Sequence, residues 1–240
     1  MATVGILSAL AEEQQGLRQS LVQPVQFSRA GRTFWRGSYG PHQVVLGLSR
    51  IGKVAAATTA TAMIEGFGLT HLVFTGVAGG IGHGVRVGDV VVADECLQHD
   101  MDASPLFARY EVPLYARSRF ACDPEVSEML AQAAVSANAS RQLHRGLIAS
   151  GDRFVSGAAE VAALRQDLAD AGHPVLAVEM EGAAVAQVCF DYRLPLGLVR
   201  TISDRADDAA PVDFSRFVAE VAGPSACAIL TRFLDLLPNQ

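Results

Sequence analysis

The chain has 240 residues, of which 50% are hydrophobic and 18% are charged. That length and composition suffice to bury one full-sized core and exclude an intrinsically disordered protein, so we expect one domain over residues 1–240. The net charge of −6 provides no basic surface for a nucleic acid or an anionic membrane, and neither is an expected partner.

Predicted strands and helices alternate along the chain. Short β-branched runs predict strands at residues 3–8, 43–49, 71–75, 90–94, 145–149, 175–178 and 196–201. Longer stretches with helical spacing predict helices at residues 11–17, 53–66, 124–136, 158–170, 182–192 and 214–236. Glycines and a proline between alternating apolar residues predict a hairpin within residues 26–49. This alternation is typical of an α/β fold.

Two segments lack a clear period and are candidate functional loops. Residues 100–122 contain two prolines and several aromatic residues, and residues 204–213 carry four aspartates before the last predicted helix. Either loop is a candidate lid.

The cysteines and the N-terminal residues indicate the compartment. Cys96, Cys122, Cys189 and Cys227 are far apart, with no C-x-x-C pair and no histidine at metal-ligand spacing, so we expect buried, reduced thiols and no metal site. Neither a basic leader nor an apolar run long enough for a membrane span is present, which predicts a cytoplasmic protein.

A glycine-rich segment, residues 76–82, directly follows the predicted strand 71–75. Glycines without Cβ atoms let the backbone approach a ligand, although a plain structural turn is the alternative. The segment matches neither the phosphate-binding G-x-x-x-x-G-K-[ST] pattern nor the dinucleotide-binding G-x-G-x-x-G pattern, so nucleotide cofactors lose support.

Carboxylates follow three of the predicted strands. Glu179 and Glu181 lie on the same side of an extended chain, where a carboxylate can accept two hydrogen bonds from a vicinal diol. Asp204, after Ser203, is a candidate general acid, and Glu13 is a candidate general base. The alternative for each acid is a structural role at a helix N-terminus or turn.

Two basic residues also stand out. Arg200 lies within an apolar strand, where it either neutralises a site carboxylate or forms a structural ion pair. Lys53, the only lysine, precedes a predicted helix and is expected to be structural rather than catalytic.

Taken together, these segments resemble the nucleoside phosphorylase/hydrolase superfamily, and most closely the bacterial 5′-methylthioadenosine/S-adenosylhomocysteine nucleosidases. The resemblance runs from about residue 4 to residue 236, and the motifs in order are SALAEE, SRIGKVAAA, TGVAGGI, VGDVVVADECLQHD, SGDRFVSG, AVEMEGAAVA and VRTISD. It implies a three-layer α/β/α sandwich around a mixed, partly barrel-like β-sheet, a homodimer, and no cofactor.

By that resemblance, the catalytic residues are two of the carboxylates. Glu13 matches the glutamate that activates water, and Asp204 matches the aspartate that protonates or hydrogen-bonds the purine N7. Glu181 matches the carboxylate that binds the ribose diol, and Met180 its neighbour beneath the sugar. Arg200 matches an arginine near the catalytic water.

The resemblance also implies the walls of the substrate site. Phe154 matches the aromatic residue stacked on adenine, and Val155 the residue whose backbone reads the purine edge. Ile51 and Phe214 match apolar positions around the 5′ substituent, with Phe214 supplied to the partner's pocket in the homodimer. We also assign to the substrate site four residues of the glycine-rich segment and the last strand, namely Val77, Ala78, Gly79 and Ser203. Val77 stands where this family commonly has a Ser or Thr.

The implied reaction is hydrolysis of a purine nucleoside to adenine and a thioribose. A phosphate nucleophile would meet Glu12 and Glu13 and no basic residue before Arg18, which favours water. Three alternatives stay open: a futalosine-type hydrolase, a phosphate-dependent phosphorylase, and a non-catalytic nucleoside-binding protein.

Overall fold

The computed structural model describes residues 1–137, 141–205 and 217–238. The strands are β1 (Thr3–Ser8), β2 (Val22–Arg29), β3 (Arg32–Tyr39), β4 (His42–Leu48), β5 (His71–Gly80), β6 (Val90–Gln98), β7 (Arg119–Ala121), β8 (Leu143–Ser150), β9 (Val175–Glu179) and β10 (Leu196–Asp204). The helices are α1 (Gln15–Ser20), α2 (Lys53–Phe67), α3 (Pro124–Ala137), α4 (Ala158–Asp170), α5 (Gly182–Tyr192) and α6 (Gly223–Leu236), with a π-helical turn at Val218–Ala222.

All ten strands belong to one mixed sheet, part of which closes on itself. Strands β5, β10, β6, β8 and β9 form a closed ring, because β5 pairs with both β10 and β9. From β5 the sheet continues through β1, β4, β3 and β2, and short β7 pairs with β6. Carboxyl ends of the parallel strands β1, β4, β5 and β10 therefore point to one edge.

Helices cover both faces of this sheet. On one face, α2 packs with α5, and Met63 and Val185 of these helices belong to one buried apolar cluster. On the other face, α3 packs with α6, and Leu130 and Phe233 belong to a second cluster. The predicted three-layer α/β/α architecture with a barrel-like region is confirmed.

Where the apolar pattern is strong, the observed bounds of helices and strands lie close to the predicted ones. The predicted hairpin is part of an antiparallel meander formed by β2, β3 and β4. Two helices differ from the prediction. The first begins at Gln15 rather than at residue 11. Residues 10–14 instead form a turn, in which the Glu13 carboxylate accepts the Leu10 N–H at 2.9 Å and the Gln14 amide donates to Ser8 Oγ at 2.7 Å. Within the described part of predicted helix 214–236, a π-helical turn at Val218–Ala222 precedes α6, which begins at Gly223.

The alternative of a plain turn at the glycine-rich segment is wrong, because β5 continues through Gly80. Pairing with β10 and β9 draws the glycines into the ring, where larger residues would collide. A Cβ on Gly80 would lie 2.9 Å from Ile202 Cγ2, and one on Gly76 would lie 3.3 Å from Glu13 Oε1. Because these positions are glycines, Ile202 and Glu13 can approach the β5 backbone closely.

Of the two candidate lids, residues 100–122 are described throughout. They contain the unpredicted strand β7, a buried Tyr110, and two apolar side chains, Leu106 and Leu114, that are 84% and 92% exposed. The other loop lies outside the described residues beyond Arg205.

All four cysteines are free, and Cys96, Cys122 and Cys189 are buried as expected. Cys227 is only half-buried, because it lies on α6 at the edge of its apolar cluster. Among the described helices, none has both the length and the apolar character needed to cross a membrane.

Candidate active site

A cavity of about 170 Å³ lies where strand ends converge at one edge of the barrel. It is lined from the ends of β1, β4, β5, β9 and β10 and from the loop after β8. The lining residues are Ala9, Leu10, Glu13, Ile51, Thr75, Gly76, Val77, Ala78, Gly79, Arg153, Phe154, Val155, Val178, Glu179, Met180, Glu181, Arg200, Ser203 and Asp204. Every predicted site residue within the described part of the chain is among them. Phe214 lies outside the described residues.

Glu13 follows β1 and is a buried part of the cavity wall. Its Oε2 accepts the Leu10 N–H, while its Oε1 accepts no hydrogen bond from the residues that the structure describes. Burial raises the pKa of the Glu13 carboxyl to about 7, although the Leu10 N–H and the Arg200 charge oppose that rise. This carboxyl can therefore gain or lose a proton near neutral pH.

Glu181 is held by a backbone amide from a distant turn. Gly52 N–H donates to its Oε1 at 2.8 Å, and Gly52 adopts a φ of +94°, a conformation that favours glycine. Burial, and then the neighbouring Glu179 charge, raise the pKa of the Glu181 carboxyl above its usual range.

Glu179 has a different role from the one its spacing to Glu181 suggests. Its carboxylate accepts the Gly182 N–H at 2.9 Å, the Ser150 hydroxyl, and Arg200 Nη2 at 2.6 Å. The structural alternative is therefore correct for Glu179, which satisfies the N-terminus of α5. Because these donors occupy its carboxylate, Glu181 is the better acceptor for a diol.

Arg200 is both a buried ion-pair residue and part of the cavity wall. Only 1% of its side chain is exposed, and Nη1 donates to the Phe74 and Val199 carbonyls at 3.2 Å. The Arg200 guanidinium also lies over the Phe74 ring, 4.2 Å from its centroid. These contacts fix the guanidinium in place.

Asp204 enters the cavity through an irregularity in β10. The register with β5 shifts between Ile202 and Asp204, so Asp204 lies opposite Gly79. Ser203 Oγ donates to Asp204 Oδ2 at 2.6 Å and also lies 3.4 Å from the Ala78 carbonyl. A bulge of this kind re-aims side chains at the end of a strand.

The loop between β8 and α4 forms a further part of the cavity wall. Phe154 lines the cavity and is 47% exposed, whereas Val155 is buried. Arg153, which the sequence did not single out, also lines the cavity and pairs with Glu160. Ile51 forms part of the rim and is 61% exposed.

Sequence reasoning also missed Gly52 and Ser150, the two residues that fix the site carboxylates. A glycine directly before a helix start was the available signal for Gly52, whereas nothing in the sequence marks Ser150. Across residues 1–137, 141–205 and 217–238, no three His, Cys, Asp or Glu side chains form a group that could hold a metal ion.

Comparisons with known proteins agree with this geometry. A family model described as the phosphorylase superfamily matches residues 3–235. A 5′-methylthioadenosine/S-adenosylhomocysteine nucleosidase of Shewanella frigidimarina is 34% identical over 97% of this chain and 99% of its own length.

Two solved structures have similar folds. The nucleosidase of that name from Neisseria meningitidis, in complex with methylthio-immucillin-A, superposes with a TM-score of 0.91 at 34% identity, covering 99% of this chain and 100% of that one. A futalosine hydrolase mutant from Helicobacter pylori gives a TM-score of 0.89 at 31% identity, covering 99% and 100%.

Proposed function

The chain belongs to the phosphorylase superfamily and, within it, to the 5′-methylthioadenosine/S-adenosylhomocysteine nucleosidases, and from that premise we propose the reaction that its site performs. It is an N-glycosyl hydrolase that cleaves 5′-methylthioadenosine and S-adenosylhomocysteine to adenine and the corresponding thioribose. The observation that carries this proposal is the convergence of Glu13, Glu181 and Asp204 on one cavity.

Cleavage of an N-glycosidic bond needs three contributions. The leaving purine must be protonated, the cationic sugar must be stabilised, and a nucleophile must attack the opposite face. We assign protonation of the purine N7 to Asp204, the ribose hydroxyls to Glu181, and the activation of water to Glu13. Each carboxylate comes from a different strand end, so the three can surround one ligand.

The protonation behaviour of Glu13 supports its role as the base. With a pKa of about 7, the Glu13 carboxylate is basic enough to take a proton from water as attack begins. Its Oε1 accepts no hydrogen bond from the described residues and is available to the water. Arg200 is held by Glu179, so its contribution to the nucleophile is electrostatic rather than a free hydrogen-bonding fork.

The charges around the cavity favour water over phosphate. Among its described lining residues the cations are Arg153 and Arg200, and each pairs with a glutamate. Phosphate would have to approach Glu13 without an unpaired arginine to neutralise it, which is unfavourable. Hydrolysis is therefore the proposed reaction, and phosphorolysis is an outcome that the experiment below distinguishes.

Apolar and backbone groups would recognise the remainder of the substrate. We assign the adenine face to Phe154 and the purine edge to the Val155 backbone, because both line the cavity from the loop after β8 and not from a strand end that carries a carboxylate. Met180 lies next to Glu181 and would pack beneath the sugar. Ile51 at the rim would contact the 5′ substituent, and the backbone of residues 77–79 with Ser203 would complete the sugar site.

We propose a homodimer in which Phe214 completes the partner's pocket, and a cytoplasmic location. The exposed apolar side chain of Ile51 at the rim supports a partner surface there. We propose no cofactor.

The test is chromatographic detection of adenine released from 5′-methylthioadenosine in phosphate-free buffer. The wild type should release adenine, whereas Glu13→Gln and Asp204→Asn should lose turnover while keeping the wild-type circular dichroism spectrum. Glu12→Gln is the matched control, because Glu12 is exposed and adjacent to Glu13 but does not line the cavity. Normal turnover in Asp204→Asn would overturn its assignment. Activity on futalosine alone would keep the chemistry and reassign the 5′ pocket.

A further inference from the structure

Lys53, the only lysine of the chain, lies just outside the cavity at the start of α2. Its Nζ donates to Asp100 Oδ1 at 2.6 Å and to Gln98 Oε1 at 3.0 Å. The side chain is only 16% exposed, so these contacts are largely shielded from water. Lys53 thus joins the start of α2 to the segment that follows β6.

Lys53 and Asp100 also hold the loop after β8, which lines the part of the cavity that we assign to the purine. Asp152 accepts the Lys53 backbone N–H at 2.7 Å through Oδ1, and its own N–H donates to Asp100 Oδ2 at 2.9 Å. Asp152 is therefore fixed through both its carboxylate and its amide. Phe154, the aromatic wall of the cavity, is only two residues away along the chain.

On its other side, Lys53 adjoins the amide that holds the diol carboxylate. Gly52 N–H donates to Glu181 Oε1 at 2.8 Å, and a Cβ on Gly52 would lie 3.1 Å from Asp152 Oδ1. One continuous set of contacts thus connects Glu181, through Gly52 and Lys53, to Asp152 and the loop that carries Phe154.

We propose that Lys53 is a positioning residue that locks the sugar-binding carboxylate and the purine-binding loop at a fixed separation, through its ion pair with Asp100. This inference rests on the proposed function, because it concerns how that site holds a nucleoside. Holding both halves of the substrate in the reactive geometry lowers the barrier without any contact between Lys53 and the substrate.

Charge explains why a lysine is needed at this point. Asp100 and Asp152 approach each other closely enough that the amide of one bonds the carboxylate of the other. Burial raises the pKa of the Asp100 carboxyl, but the hydrogen bond from Lys53 and the Asp152 N–H outweigh that effect and lower it overall. Without the ammonium group, Asp100 would lose its charged hydrogen-bond donor and keep only the Asp152 N–H, so the link between the start of α2 and the purine-binding loop would weaken.

The experiment compares Lys53→Met, Lys53→Arg and Asp100→Asn with the wild type. Lys53→Met keeps most of the side-chain length and removes the charge. Because the substrate would then be held out of its reactive geometry, kcat/KM for 5′-methylthioadenosine should fall on the order of 10- to 100-fold. Lys53→Arg retains the charge and should regain most of that loss. Asp100→Asn should reproduce the loss, and it also serves if Lys53→Met does not fold.

The matched control is Arg145→Met, in β8, which breaks two ion pairs, one with Asp94 and one with Glu128. Arg145 does not line the cavity, so this variant should keep wild-type kcat and KM. A purely structural role for Lys53 would move only the denaturation midpoint, which is the result we expect for Arg145→Met.

Adenine affinity, measured by equilibrium dialysis, provides a readout that is independent of turnover. Lys53→Met should weaken adenine binding on the order of 10-fold, because the loop that carries Phe154 is displaced. Wild-type kinetics and wild-type adenine affinity in Lys53→Met would overturn the inference. If the wild type binds adenine but releases none from nucleosides, the proposed function fails, and the adenine affinities alone decide this inference. If the wild type neither binds adenine nor releases it from nucleosides, both the proposed function and this inference are wrong.

Discussion

The buried ion pair between Arg200 and Glu179 leads to a large predicted loss of stability. Both side chains are almost fully buried, 1% and 3% exposed, and Nη2 lies 2.6 Å from Oε2. In Arg200→Met the Glu179 carboxylate would remain buried without its cation. Breaking a buried pair in this way costs about 3–5 kcal/mol, because the remaining charge can neither reach water nor find another cation.

The remaining hydrogen bonds decide where in that range the loss falls. Ser150 Oγ and the Gly182 N–H still donate to Glu179 in the variant, so we expect a loss near the lower end, about 3 kcal/mol. For a chain of this size, each kcal/mol lowers Tm by about 2–4 °C, and the total shift is on the order of 10 °C.

Urea denaturation followed by circular dichroism at pH 7 measures this loss. The double variant Arg200→Met/Glu179→Gln is the decisive comparison, since it removes the unpaired charge together with its partner. It should recover at least half of the lost stability. The reasoning is refuted if Arg200→Met costs less than about 1 kcal/mol, or if the double variant is no more stable than the single one.

Two further predictions concern groups next to the cavity. Because burial raises the pKa of Glu13 from 4.5 to about 7, the stability that its protonated form contributes is fully present below pH 4.5 and is lost as pH rises through 7. Glu13→Gln should abolish that pH dependence, which amounts to about 3 kcal/mol; equal pH dependence of urea denaturation in both proteins would contradict it. Gly52→Ala forces a side chain into a φ of +94° and toward Asp152 Oδ1, so it should cost about 1–3 kcal/mol and reduce kcat/KM. Wild-type stability and kinetics in that variant would show that the turn tolerates a Cβ.

The sequence was most informative at the strand ends. Apolar runs that stop at polar residues mark where β1 and β10 reach the cavity, so the pattern made Glu13 and Asp204 candidates, and the family resemblance then assigned their roles. The start of α1 could not be predicted, because it depends on the Glu13 side chain folding back on Leu10 N–H. One domain over residues 1–240 stays a prediction.

Contacts between distant segments could not be predicted either, because they too depend on the folded chain. The glycine-rich segment has the composition of a turn, yet pairing with β10, more than a hundred residues later, makes it a strand. Lys53 was expected to be structural, and its role depends on Asp100 and Asp152, which only the folded chain brings together. Local propensity contains no information on such pairings.

The central claim is that water, not phosphate, attacks the sugar. The most direct measurement is turnover of 5′-methylthioadenosine in water enriched in the heavy oxygen isotope, with inorganic phosphate present, followed by mass spectrometry of the sugar product. We predict a free methylthioribose whose anomeric hydroxyl carries the heavy isotope, formed in equal amounts with adenine. A sugar 1-phosphate without the label would contradict the account and make the protein a phosphorylase.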